Sequence, residues 1–166
     1  MHCAGLSDEP GCQHRRETLT GSPVNDYLKG ETNEYATVVY SINGREGDDE
    51  LIASYGEDRL DGGPDDDILV GNRGDDTLTG GSGADRFVFG NNDDNDVILD
   101  FTPGTPELPL DQIVLRGGTQ QDISTVLTSA EPDPFTGAVL VLYGSTVIYI
   151  YDKTHEDVAD HWFTVA

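Results

Sequence analysis

The sequence predicts an all-β chain, a parallel β-roll closed at its C-terminal end by a β-rich cap. Three observations carry this: a nine-residue period from Gly44 to Val88, 20 glycines in 166 residues, and two apolar, β-branched runs flanking Gly144 and Ser145. Glycine at this level stands well above the roughly 7% of average proteins and demands many tight turns. The chain carries 32 acidic against 9 basic side chains, a formal charge of −23. Such a balance argues against nucleic acid or an anionic membrane as partner, because both need Lys and Arg to displace counterions. Cations are the natural partner. No apolar run approaches the roughly 18 residues of a membrane span, and no charged-then-apolar leader opens the sequence, so neither a span nor a standard N-terminal export signal is expected.

The stretch 1–18 is polar and reads as a flexible leader. It holds both cysteines, Cys3 and Cys12, together with His2 and His14. A small disulfide loop, a zinc site and idle thiols are the alternatives there. The spacing matches no familiar zinc pattern.

Cut from Gly44 in nines, the chain reads GREGDDELI, ASYGEDRLD, GGPDDDILV, GNRGDDTLT and GGSGADRFV. Position six is always aspartate: Asp49, Asp58, Asp67, Asp76 and Asp85. Position eight is always apolar: Leu51, Leu60, Leu69, Leu78 and Phe87. Position four is Gly47, Gly56, Asp65, Gly74 and Gly83. Three residues around the apolar position suit a very short strand with its large side chain inward, and the other six must reverse the chain. Glycine permits that turn at low cost, and Asp65 is among the few side chains that tolerate the left-handed backbone. Two nonapeptides make one winding, with parallel strands stacked about 4.8 Å apart. Leu51, Leu69 and Phe87 then line one wall, facing Leu60 and Leu78. Upstream, GSPVNDYLK from Gly21 keeps Asp26 and Leu28 in phase, but the pattern is lost from Gly30 to Asn43, so the first coil is expected to be degenerate or looped out.

Read as solvated acidic turns of an ordinary β protein, this stretch fails on electrostatics. Residues 44–88 hold 13 acidic and 4 basic side chains, with like charges stacked one winding apart. Two carboxylates about 4 Å apart repel by roughly 1 kcal/mol even in bulk water, and by more beside an apolar core. Such a column requires cations to close.

These residues resemble the RTX, or hemolysin-type, calcium-binding proteins, whose repeat is G-G-x-G-x-D-x-U-x with U a large apolar residue; the assignment is recognition of a known repeat. GGSGADRFV fits at every position. The resemblance implies an RTX β-roll that binds Ca2+ between loops one winding apart, through position-six carboxylates and backbone carbonyls. Asp49 and Asp67 would share one ion, Asp67 and Asp85 a second, Asp58 and Asp76 a third. Asp94, nine residues past Asp85, would pair with Asp76 around a fourth. Gly44, Gly47, Gly62, Gly71, Gly74, Gly80 and Gly83 are the accompanying loop glycines. A cage of six to eight oxygens suits calcium better than magnesium or zinc.

RTX proteins often close their repeats with a D-x-I-x-D-F-x-x-G-x-D-x-I-x-L stretch. Asp96, Ile98, Asp100, Phe101, Gly104, Asp111, Ile113 and Leu115 take those places, with a proline-rich insertion at Thr105 to Leu110. The expected organisation is a leader over 1–18, a calcium-binding roll over 19–100 and a cap over 101–166. Within the cap, Asp122 to Ala130 reads as a short helix with Asp122 as N-cap. Ala138 to Tyr151 reads as a hairpin with Gly144 opening a type II′ turn and both faces covered. A helix over Lys153 to Asp160 and a strand over Trp162 to Val165 would follow. The closing HWFTVA, with acidic residues before it, also resembles the uncleaved C-terminal signal that RTX proteins present to type I secretion machinery.

No enzyme is expected. H-E-x-x-H is absent, since Val158 follows His155, Glu156 and Asp157, and no G-x-S-x-G elbow exists around Ser82 or Ser145. Carboxylates committed to calcium stay ionised and make poor general acids. Three non-catalytic readings stay open: a secreted module that folds on calcium outside the cell, a carbohydrate-binding or adhesive module with a glycan partner, and a fragment of a larger RTX protease, lipase or toxin.

Overall fold

The computed structural model describes residues 15–31, 38–105, 110–129, 131–132, 138–151, 153 and 157–166. Its strands are β1 (Arg15–Thr20), β2 (Tyr27–Lys29), β3 (Val38–Asn43), β4 (Glu50–Ile52), β5 (Arg59–Pro64), β6 (Ile68–Val70) and β7 (Thr77–Ser82). There follow β8 (Arg86–Phe89), β9 (Asn95–Ile98), β10 (Gln112–Leu115), helix α1 (Gln120–Ser129), β11 (Glu131–Pro132), β12 (Val139–Tyr143), β13 (Thr146–Ile150) and β14 (Phe163–Val165). Two sheets face each other, in the orders β1-β3-β5-β7-β9-β13-β12-β11 and β14-β10-β8-β6-β4-β2. Every pairing between these strands is parallel except β12 with β13 and β11 with β12. The fold is a parallel β-roll with a C-terminal β-rich cap.

Within the repeats Leu51 pairs with Leu69, Leu69 with Phe87 and Leu60 with Leu78, so one winding takes 18 residues, two nonapeptides. The apolar positions form two continuous inward rows. One runs Leu28, Leu51, Leu69, Phe87, Ile113, Phe163; the other runs Leu19, Ile42, Leu60, Leu78, Ile98, Ile150, Val139. Leu51, Leu69, Leu78, Phe87, Ile98 and Ile113 are fully buried. Each such side chain withdrawn from water contributes roughly 1.5–3 kcal/mol. Strands this short hold because each is clamped between neighbours above and below.

The roll extends beyond the repeats at both ends. β1 lies partly inside the stretch expected to be a leader: Leu19 stacks on Ile42, which draws residues 15–18 into the sheet. Cys3, Cys12, His2 and His14 lie outside the described residues. The degenerate first coil is a winding of 23 residues, with Leu19 on Ile42 and Leu28 on Leu51, and its extra length falls between β2 and β3.

The cap continues both sheets instead of sitting across their ends. β13 pairs with β9 and β14 with β10, so the last windings are completed by chain from the far C-terminus. Trp162 is buried, its ring 5.1 Å from Phe101, which in turn lies 6.0 Å from Phe87. The hairpin has a two-residue turn with Gly144 at φ +62, as the sequence predicts. Its two faces differ, contrary to expectation: Val139, Val141, Tyr143, Ile148 and Ile150 are buried, whereas Leu142 is exposed. A sheet at the edge of a roll has one core to face. The helix begins earlier than predicted. Thr119 caps it, the Thr119 N–H and Oγ1 each donating to Asp122 Oδ2 at 2.6 Å, so Asp122 sits three residues inside and closes a reciprocal box. The helix expected over 153–160 falls largely outside the described residues. Asp160–Trp162 is one turn of 3-10 helix, and the last strand starts at Phe163.

Candidate metal centre

The turns stack the position-six aspartates in two columns. In the first, the backbone N–H of each residue donates to Oδ1 of the aspartate one winding on: Asp26 to Asp49 at 2.7 Å, Asp49 to Asp67 at 2.8 Å, Asp67 to Asp85 at 3.0 Å, Asp85 to Asp111 at 3.1 Å. In the second, Tyr40 N–H donates to Asp58 at 2.6 Å, Asp58 to Asp76 at 2.8 Å and Asp76 to Asp96 at 3.1 Å. One oxygen per carboxylate thus ties two windings together.

The other oxygen divides the aspartates into two groups. Asp26 Oδ2 accepts from Ser22 N–H at 2.6 Å, Asp58 Oδ2 from Ser54 N–H at 3.0 Å and Asp111 Oδ2 from Thr102 N–H at 2.6 Å. Oδ2 of Asp49, Asp67, Asp76, Asp85 and Asp96 is buried and has no hydrogen-bond partner among the described residues. All five side chains are at most 2% exposed. A buried, unpaired carboxylate oxygen is expensive, and stacking like charges adds to the cost. Burial, the largest influence, lifts Asp67 and Asp85 to about 7, Asp96 to about 8, Asp76 to about 9 and Asp111 to about 6. Burial also raises Asp49 and Asp58 above the ordinary carboxylate range. Without a counter-charge Asp76 and Asp96, and in part Asp67 and Asp85, hold protons near neutrality, protons that a bound cation would displace.

Position-one glycines shape the space beside these oxygens. A Cβ at Gly44 would collide with Asp49 Oδ2 and lie 2.7 Å from the carbonyl oxygen of Gly62. A Cβ at Gly62 would collide with Asp67 Oδ2 and lie 2.7 Å from the carbonyl oxygen of Gly80. A carboxylate oxygen and a carbonyl oxygen from successive windings converge where the side chain is missing. Among the described residues no three His, Cys, Asp or Glu side chains converge on one point. The oxygens that do converge, one carboxylate and one carbonyl at each of these two cradles, are hard donors of the kind calcium takes. At Gly71 and Gly80 the nearest atoms belong to their own repeat's Asp76 and Asp85 alone. Gly47, Gly74 and Gly83 hold φ of 108°, 123° and 150°, and Asp65 takes the same left-handed turn at 81°, as anticipated.

Two of the sequence-based site residues are placed differently from the others. Asp58 belongs to its column, yet both its oxygens are engaged by backbone N–H groups, those of Tyr40 and Ser54, in the repeat where Ala53 stands at the position held by Gly44, Gly62, Gly71 and Gly80. Asp94 is exposed, with φ of 68° and outside the column. Asp96 takes its place, because the winding from Leu78 to Ile98 contains 20 residues. Counting in nines lands two residues early. The closing motif also contributes: Asp100 accepts from Gly80 N–H at 2.9 Å and Gly81 N–H at 2.8 Å, where the next winding's carbonyls would otherwise stand.

Among the described residues no helix is long and apolar enough to cross a membrane. Among curated proteins none matches the chain. Among solved structures it is similar to part of the extracellular lipase LipA from Serratia marcescens, at 18% identity and a TM-score of 0.45 over 90% of this chain and 21% of that one. The chain thus spans about a fifth of that lipase's length. The family of RTX calcium-binding nonapeptide repeats, in four copies, matches residues 41–69 and 61–96. The aspartate columns and their glycine cradles lie largely in that stretch, so residues 41–96 carry repeats of the RTX calcium-binding type.

Proposed function

We propose that this chain is a secreted, non-catalytic module whose folding is driven by extracellular calcium. The observation that carries the reading is the stack of buried Oδ2 atoms without partners, in a chain of charge −23. In calcium-poor surroundings the columns repel and the roll is open; where calcium reaches the roughly 10⁻⁴–10⁻³ M that extracellular modules use, ions replace the missing partners and the roll closes. One ion occupies the cradle at Gly44, held by Asp49, Asp67 and the Gly62 carbonyl. A second occupies the cradle at Gly62, held by Asp67, Asp85 and the Gly80 carbonyl. In the second column Asp58 serves as a hydrogen-bonded end and Asp76 as the cation-facing residue. The folding unit runs from β1 through β14.

Circular dichroism during a calcium titration tests this. The chelated chain is expected to be largely unfolded at neutral pH, to gain β signal with calcium, and to respond poorly to equal magnesium, which dehydrates reluctantly and demands a tighter octahedron. A fully formed roll in excess chelator at neutral pH would overturn it.

A further inference from the structure

The second column departs from the nine-residue period where the cap joins the roll. We infer that Asp76 and Asp96 hold a cation of their own at this break, a site encoded by the lengthened winding and absent from the repeat pattern; the inference rests on the calcium-binding reading above. Three features of the first column recur there. Asp76 N–H donates to Asp96 Oδ1 at 3.1 Å, as Asp49 N–H does to Asp67. Oδ2 of both Asp76 and Asp96 lacks a partner. Both side chains are at most 1% exposed. The level below differs, because both oxygens of Asp58 accept from backbone N–H groups and neither is left unpartnered. The column's cation is thereby displaced from the Asp58–Asp76 level to the Asp76–Asp96 level.

This position ties the ion to the cap. Asp96 pairs in register with Ile148 of β13, and Val147 N–H donates to the Asp94 carbonyl at 2.8 Å. Loop 90–95 also holds the hairpin turn, with Ser145 N–H on the Asn91 carbonyl at 3.1 Å and Asp93 N–H on Thr146 Oγ1 at 2.7 Å. An ion on Asp96 would fix the strand against which β13 docks. The site thus couples calcium to closure of the C-terminal end.

The test counts ions by calorimetry with calcium alone, on the full chain and on D96N and D94N, and follows amide exchange in β13. D96N keeps the Oδ1 acceptor and removes the charge. It is expected to bind one ion fewer and to lose calcium-dependent protection of β13 while β5 and β7 keep theirs; D94N should match the parent. Unchanged stoichiometry in D96N would overturn the site and leave the first column's reading intact, whereas no binding by the parent would sink that reading itself. Should D96N fail to fold, the carboxyl carbon resonances of the parent decide. Over the calcium additions that follow folding of the roll, Asp76 and Asp96 are expected to shift together with Asp94 unmoved, and an Asp96 resonance stationary over those additions refutes the site.

Discussion

Gly62→Ala isolates the cradle from every other property of the roll. The substitution adds one methyl group at a position whose φ needs no glycine, and that methyl would meet Asp67 Oδ2, Asp67 Cγ at 2.8 Å and the Gly80 carbonyl oxygen at 2.7 Å. Two costs follow. Overpacking in a tight interior costs about 1–3 kcal/mol. An ion present at 100 times its Kd stabilises the folded state by about 2.7 kcal/mol, and that contribution disappears if the methyl occupies its place. The total, about 4–6 kcal/mol, is comparable with the whole stability of a small domain. With about three ions bound on folding, ~4 kcal/mol corresponds to a roughly tenfold rise in the calcium midpoint. Gly117→Ala is the control. Gly117 has φ +71 and nothing within 4 Å of an added Cβ, so it incurs only the left-handed backbone penalty of about 1–2 kcal/mol. That amounts to about a twofold shift on the same scale. Calcium titrations of both variants by circular dichroism measure the difference. If Gly62→Ala moves the midpoint no further than Gly117→Ala, the cradle holds no ion and its glycine serves packing alone.

Asp67→Asn should raise the calcium midpoint more than Asp49→Asn, because Asp67 serves the ions on both sides of it; equal shifts in the titration would refute the shared ligand. In calcium-free buffer the pH response should be inverted relative to most proteins. Asp67, Asp85, Asp96 and Asp76 titrate in the fold at about 7, 7, 8 and 9 against an ordinary 3.8, so the folded state binds more protons between those limits and loses stability as pH rises through them. Circular dichroism should therefore show more roll at pH 4 than at pH 8 without calcium, and calorimetry should show weaker calcium binding at pH 5 than at pH 8, since each ion must displace protons. Trp162→Ala should destabilise the calcium-loaded chain by about 3–5 kcal/mol in thermal or urea unfolding, and a chain ending at Gly104 should fail to fold with calcium because it lacks the partners of β9 and β8.

The interior of the roll was legible in the sequence because repeated residues report repeated environments. The period predicts that Leu51, Leu69 and Phe87 stack, and they do, since large apolar side chains one winding apart have no other place to go. The ends were harder to read. Leu19 gives a single in-phase apolar residue in RRETLT, too little to announce β1 before Ile42 is seen beneath it. Asp96, not Asp94, continues the second column because loop 90–95 lengthens the winding by two residues, and nothing in a count by nines announces the insertion. Asp58 matched the repeat at position six, yet its second oxygen was decided by Ser54, four residues away. Period identifies where a ligand sits; the loop's other atoms decide whether it has an oxygen to spare.

The unequal windings also settle a problem that identical repeats create. A stack in which Leu60 sits on Leu78 and Leu51 on Leu69 would look almost the same to each strand if one segment slid a full winding along its neighbour. Such slipped alignments keep every inward side chain inward, so the apolar core alone cannot reject them. The 23-residue turn at one end, and the 20- and 26-residue turns at the other, cannot be translated onto the regular double-nonapeptide ones without stranding a loop or leaving Leu19, Ile98 or Ile113 without its partner. They act as page numbers in a book of near-identical pages, so that a chain assembled from interchangeable parts has one alignment in which all of them fit.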